Sequence, residues 1–159
     1  MNLTQNPQII EVAPFQIIGI SLSTTNEGGK SSQDIGMLWQ RFHSDKLAEK
    51  IPYKDDDTIY SLYTDYVSDY QGEFTSIIGC KVSALDNIPS DMIGRKFHGG
   101  KYRKFTASGK LPEAIATAWR SIWEQDKSLN RAYTTDFEVY DQRSANFEHG
   151  EVDIFIAVE

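Results

Sequence analysis

The chain runs through the order strand, helix, strand, strand, and then runs through it a second time. An apolar, β-branched stretch at 8–24, QIIEVAPFQIIGISLST, reads as one strand or two short ones. After a glycine-containing loop, Ser31 or Ser32 can cap a helix reaching about Glu49, in which Ile35, Leu38, Trp39 and Phe42 share one face at the i, i+3, i+4, i+7 spacing. Two strands follow at 58–67 and 73–85, joined by a polar turn containing Gly72. The second pass opens with a strand from Ile93 to about Thr106, whose Gly99-Gly100 pair reads as a bulge. Gly109 marks the loop, and Pro112 suits the first turn of a helix to about Gln125. There Ile115, Ala118, Trp119 and Ile122 repeat the earlier face. Strands at 132–141 and 150–159 close the chain, the last alternating Val152, Ile154, Ile156 and Val158.

Such a duplication limits the folds available. A unit of three strands and one helix cannot cover both faces of its own sheet. The economical arrangement is an α+β fold in which the tandem βαββ units share one antiparallel sheet, with both helices on the same face. Two helices side by side leave a central groove along the pseudo-twofold axis. At 159 residues the chain is expected to form a single domain, 1–159, with pseudo-repeats at about 8–86 and 92–159. Trp39 and Trp119, 80 residues apart, hold equivalent places on their helices, and 63-YTDY-66 and 134-TTDF-137 read as counterparts.

Charge and motif content remove several function classes. The net charge of −7 argues against a phosphate-backbone footprint and is compatible with cationic small molecules. The basic run 95-RKFHGGKYRK-104 reads as a strand with exposed lysines, and the acidic 55-DDD-57 as a solvated loop. Cys80 is the single cysteine, set in an apolar run as a small buried hydrophobe. The three histidines are far apart, and neither a zinc spacing, a P-loop nor a nucleophile elbow occurs. No cofactor and no metal are expected. The amino terminus has no charged and apolar leader, and no stretch has the length of a membrane span. The chain reads as cytoplasmic, with neither membrane nor direct nucleic-acid partner.

The feature that draws attention is Glu138, in the middle of the strand 134-TTDFEVYD-141. Taken alone, the strand favours a solvent-facing glutamate between inward Phe137 and Val139. The other orientation places Glu138 and Tyr140 together on a groove-facing side, where Tyr140 could stack on a ligand or bond the carboxylate. The aromatic supply is generous at 12%. Trp39, Phe42, Trp119 and Trp123 lie on helix faces flanking the proposed groove, and Tyr60, Tyr63, Phe97, Tyr102 and Phe155 lie on strands. Each of them could equally be core.

The residues carrying a family likeness are Gly100 with Tyr102 and Phe105, the glycine before an aromatic-faced helix (Gly109), then Phe137-Glu138-Val139-Tyr140 and the alternating closing strand. Together, over the stretch from Ile93 onward and less clearly before it, they resemble the gyrase-inhibitor-like effector-binding domains. These also form the ligand-sensing part of some AraC-type and MerR-type regulators. The resemblance implies a tandem βαββ fold whose central groove receives lipophilic cations on aromatic side chains and a glutamate, here Glu138. It reverses the reading taken from the strand alone. The chain departs from the pattern at 156-IAV-158, where a proline is expected in the middle, and it has no room for a DNA-binding helix-turn-helix. The expected function is a stand-alone, non-catalytic module for amphipathic, cationic aromatic compounds. One alternative is hydrolysis of electrophilic xenobiotics in the same pocket, with Glu138 as general base. The other is a protein-interaction or inhibitory role of the acidic surface.

Overall fold

Proline has no N–H to give to a ladder, and the first apolar stretch breaks at Ala13-Pro14 into β1 (Ile9–Val12) and β2 (Phe15–Thr25). The computed structural model describes residues 8–159, so the reading of the extreme amino terminus as free of a leader falls outside it. α1 (Lys30–Ser44) starts behind Gly29, earlier than Ser31, whose hydroxyl instead donates to the Asn26 side chain. The helix stops short of Glu49. Lys46 takes up a left-handed conformation, φ 51°, and a separate turn, α2 (Leu47–Lys50), follows. β3 (Ile59–Thr64) and β4 (Glu73–Val82) complete the first unit. β5 (Ile93–Phe97), β6 (Gly100–Gly109), α3 (Glu113–Glu124), the short α4 (Asp126–Leu129), β7 (Thr135–Tyr140) and β8 (Gly150–Ala157) make the second.

The eight strands of the described residues form one antiparallel sheet in the order β1-β6-β8-β7-β3-β4-β2-β5. The two units therefore meet at the β7–β3 seam, as the duplication requires. The Gly99-Gly100 pair is not a bulge inside one strand. It separates β5, which pairs with β2 of the first unit, from β6, which pairs with β1 and β8. The break at Ala13-Pro14 does the same in reverse, so each unit lends a short edge strand to the other. Gly99 has φ 75°, and a Cβ there would stand 2.2 Å from the Val12 carbonyl oxygen. Only glycine fits where the two connections pass.

Side-chain alternation then sorts the core into two faces. On one face α1 covers Ile18, Ile20, Ile78 and Cys80 with Leu38 and Phe42, while α3 covers Phe105, Ala107, Ile154 and Ile156 with Ala118 and Ile122. Each such fully buried large side chain contributes about 1.5–3 kcal/mol. Both helices lie on this face, as the duplicated pattern predicts. On the other face the curled sheet closes over Phe15, Ile17, Leu62, Ile77, Phe97, Tyr102 and Phe137. Phe137 stacks on Phe155 at 4.8 Å and meets Tyr102 edge-on at 5.3 Å. Cys80 is fully buried in the α1 cluster, where burial pushes its thiol up to about 11. Among the described residues no helix is long and apolar enough to cross a membrane.

Candidate functional site

β3 and β7 run side by side under the space between the helices, and their alternation decides what enters it. Phe137 and Val139 belong to the far cluster, so Asp136, Glu138 and Tyr140 point to the helix side. On β3 the same rule sends Tyr60 and Leu62 away and turns Ser61 and Tyr63 toward the helices.

Glu138 is 1% exposed. Its Oε2 accepts the Trp119 indole N–H at 2.6 Å and the Tyr63 hydroxyl at 2.9 Å, and its Oε1 accepts the Tyr140 hydroxyl at 2.5 Å. All three donors are neutral. Burial pushes the Glu138 carboxyl above its ordinary value, and the bonds from Tyr140, Trp119 and Tyr63 offset only part of that. Burial and the neighbouring carboxylate raise the Tyr63 and Tyr140 phenols well above theirs, so both remain donors.

Two residues along the strand, Asp136 is treated differently. It is fully buried and receives Arg131 at 2.7 Å, the Tyr66 hydroxyl at 2.5 Å and the Ala157 backbone N–H at 2.8 Å. Arg131 also reaches Asp126 at 3.2 Å. The residue missing from the expected pattern explains itself here: a proline at 157 would have no N–H for Asp136. So the nearby arginine goes to Asp136, and Glu138 has no cationic partner among the described residues. A buried carboxylate without one is costly unless something else supplies the charge.

Above Tyr140 lies a cavity of about 1090 Å³. α1 contributes Trp39 and His43, the approach to α3 contributes Leu111, α3 itself contributes Ile115, and Phe147 also lines the cavity, 70% exposed. Trp39 meets Tyr140 edge-on at 4.8 Å and stacks on His43 at 5.4 Å. Asp56, Asp57 and Asp141 lie along the wall, with Arg143 bonded to Asp141 and Asp153. Asp56 and Asp57, read from the sequence as part of a solvated loop, are thus brought to the cavity by the turn before β3. His43, Leu111 and Phe147 carried no sequence signal, because their proximity exists only once the two helices face one another.

The predicted aromatic residues separate into four groups. Trp39 and Tyr140 line the cavity. Trp119 and Tyr63 grip the carboxylate from the closed side, 5.3 Å apart edge-on, and Trp123 extends that side by stacking on Tyr70 at 5.6 Å. Phe42 is buried in the core beneath α1. Tyr60, Phe97, Tyr102 and Phe155 belong to the far cluster, with the thickness of the sheet between them and Glu138. For Phe97 and Tyr102 the reason is the break at Gly99-Gly100, which assigns Phe97 to the edge strand β5 and Tyr102 to β6, next to the opposite edge strand β1, and both side chains join the far cluster there. For Tyr60 and Phe155 it is simple alternation.

The pairing registers also correct one repeat correspondence. Trp39 packs on Tyr140 as Trp119 packs on Tyr63, so the counterpart of Tyr63 is Tyr140. The 63-YTDY-66 and 134-TTDF-137 match is therefore offset from the structural equivalence.

The family of integron-associated effector binding proteins matches residues 8–158. An integron cassette protein from the mobile metagenome of Vibrio cholerae is 33% identical, with all of both chains covered and a TM-score of 0.78. The structure of SAV2435 bound to tetraphenylphosphonium superposes with a TM-score of 0.81 at 19% identity, covering 98% of this chain and 94% of the other. YobU of Bacillus subtilis (strain 168), a proposed transcriptional regulator, is 29% identical over 144 residues, 89% of this chain and 90% of its own.

Proposed function

The chain belongs to the family of integron-associated effector binding proteins, and from that premise we propose that its inter-helix cavity binds amphipathic, cationic aromatic compounds without turning them over. The observation that carries this reading is the Glu138 carboxylate, buried beneath the cavity and held, among the described residues, only by the neutral donors Tyr63, Trp119 and Tyr140. A cation in the cavity supplies the charge that the fold withholds. Trp39 and the Tyr140 ring offer aromatic faces to its body, each worth about 0.5–2 kcal/mol toward a cation. Leu111, Ile115 and Phe147 add apolar wall, and Asp56 and Asp57 bias the entrance toward positive charge, while Asp141 is already paired with Arg143 of the same wall. A shared fold alone would not license a ligand. The tetraphenylphosphonium held by SAV2435 adds support, since that ligand pairs one charge with four aromatic rings.

Titration with tetraphenylphosphonium, followed by tryptophan fluorescence, tests the reading. Wild type is expected to bind saturably, and Glu138→Gln to bind at least about tenfold more weakly, a loss of about 1.4 kcal/mol. Absence of saturable binding by wild type, or equal affinity of the variant, would sink it.

A further inference from the structure

The cavity and the carboxylate are not in contact. Glu138 does not line the cavity; Tyr140 does, and its hydroxyl occupies Oε1 at 2.5 Å. The other oxygen already accepts Trp119 and Tyr63, both on the closed side. Oε1 is therefore the face through which a ligand can approach, and it is capped by one phenol. Behind that phenol the carboxylate is 1% exposed. The Tyr140 ring is itself seated, edge-on against Trp39 at 4.8 Å and packed beside Leu111, Ala114 and Val152.

We propose, building on the binding reading above, that Tyr140 determines charge selectivity by competing with the ligand for Glu138. A neutral aromatic compound stays in the outer cavity, on Trp39, Ile115 and the Tyr140 ring, and leaves the hydroxyl where it is. A cation gains from reaching Oε1, because an ionic contact in a site shielded from water replaces a bond from a neutral phenol. Because the hydroxyl is fixed to its ring, freeing Oε1 moves the Tyr140 ring off its seat beside Trp39, Leu111, Ala114 and Val152 and into the cavity, where water can take the phenol. Discrimination between charged and neutral ligands is then set by what it costs to break the Tyr140–Glu138 bond. Tyr63, the repeat counterpart of Tyr140, donates to the same carboxylate but meets Trp119 in place of a cavity. It is the internal comparison.

The test uses stopped-flow tryptophan fluorescence with tetraphenylphosphonium and the neutral triphenylphosphine oxide, on wild type, Tyr140→Phe, Tyr63→Phe and Glu138→Gln. Measurements are made in the pH range where wild-type affinity no longer changes. Each phenylalanine variant removes one donor from Glu138 and so raises its basicity, but only Tyr140→Phe uncovers Oε1. The expected result is association of tetraphenylphosphonium at least about tenfold faster with Tyr140→Phe than with Tyr63→Phe, with the oxide bound alike by both. Equal association rates in the two variants overturn the inference while leaving the binding reading intact, provided that Glu138→Gln still loses the cation. Weaker cation binding by Tyr140→Phe than by wild type overturns it as well, because Tyr140 would then be a needed contact and not a competitor. If wild type binds no cation, both readings fall together.

Discussion

Ser61 and Glu138 face one another directly across the β3–β7 seam. With Tyr63 equivalent to Tyr140, this pair sits where the pseudo-twofold axis passes through the sheet. Each half of the duplication thus places one residue at the centre of the groove, and one half supplies a serine where the other supplies the carboxylate. The two tyrosines that flank the axis both turn their hydroxyls to the same glutamate. A symmetric frame has become an asymmetric site, with one charge, a closed side at Trp119 and an open side at Trp39.

Cation affinity should depend on pH with a defined sign. Burial raises the Glu138 carboxyl in the free protein, and a bound cation favours its ionised form. Binding therefore releases a proton below the raised value. Affinity for tetraphenylphosphonium is expected to be flat on the alkaline side and to fall by up to about tenfold for each pH unit below it. Calorimetry in buffers of different ionisation enthalpy would register the released proton; an affinity that rises on acidification would contradict the assignment.

The same group makes a statement about stability. Its folded-state value lies above the unfolded one, so its contribution to stability is fully present below the ordinary glutamate value of about 4.3 and is lost as pH rises through the folded-state value. Glu138→Gln avoids that loss. The melting temperature of the variant relative to wild type should climb between pH 5 and pH 8 in the absence of ligand. A difference that is independent of pH would mean that the carboxylate titrates as an ordinary one.

Asp136 and Arg131 form the costly feature of the fold. Their side chains are 0% and 1% exposed, and the pair ties β7 to the chain following α4. Asp136→Ala should destabilise by about 3–5 kcal/mol, since it removes the fully buried carboxylate and leaves the buried guanidinium with Asp126 as its remaining carboxylate. In urea melts, removing both charges by Asp136→Leu with Arg131→Met is expected to recover a substantial part of the loss. A double variant no better than the single one would show that the Ala157 N–H and Tyr66 bonds, not the charge pair, dominate.

Trp39 and Phe155 separate binding from packing. Trp39 lines the cavity, whereas Phe155 stacks on Phe137 beneath the sheet. Trp39→Ala should weaken tetraphenylphosphonium by roughly fivefold to thirtyfold, equivalent to about 1–2 kcal/mol of lost stacking and cation–π contact. Phe155→Ala should lower stability by about 3 kcal/mol and leave the affinity of the folded protein within twofold. Parallel titrations and melts of the two variants decide it, and the opposite pattern would place the ligand on the far face.

Much of this protein was legible in one dimension. Periodicity is a local property, so the two helices and their shared face follow from spacings such as Ile35, Leu38, Trp39 and Phe42. The repeated order then forces a shared sheet, because neither unit can cover itself. What local pattern cannot supply is which strand a segment pairs with. Gly99-Gly100 looks the same in sequence whether it kinks one strand or hands the chain from one edge of the sheet to the other, and that choice sent Phe97 and Tyr102 away from the groove. Nor could the strand 134-TTDFEVYD-141 state which of its faces is solvated, since alternation fixes only that Glu138 and Tyr140 share one. The tertiary structure decided it by setting Trp119 and Tyr63 against the carboxylate and by giving Arg131 to Asp136. Those contacts join residues up to 75 positions apart, and only closure of the sheet between the two helices brings them into reach.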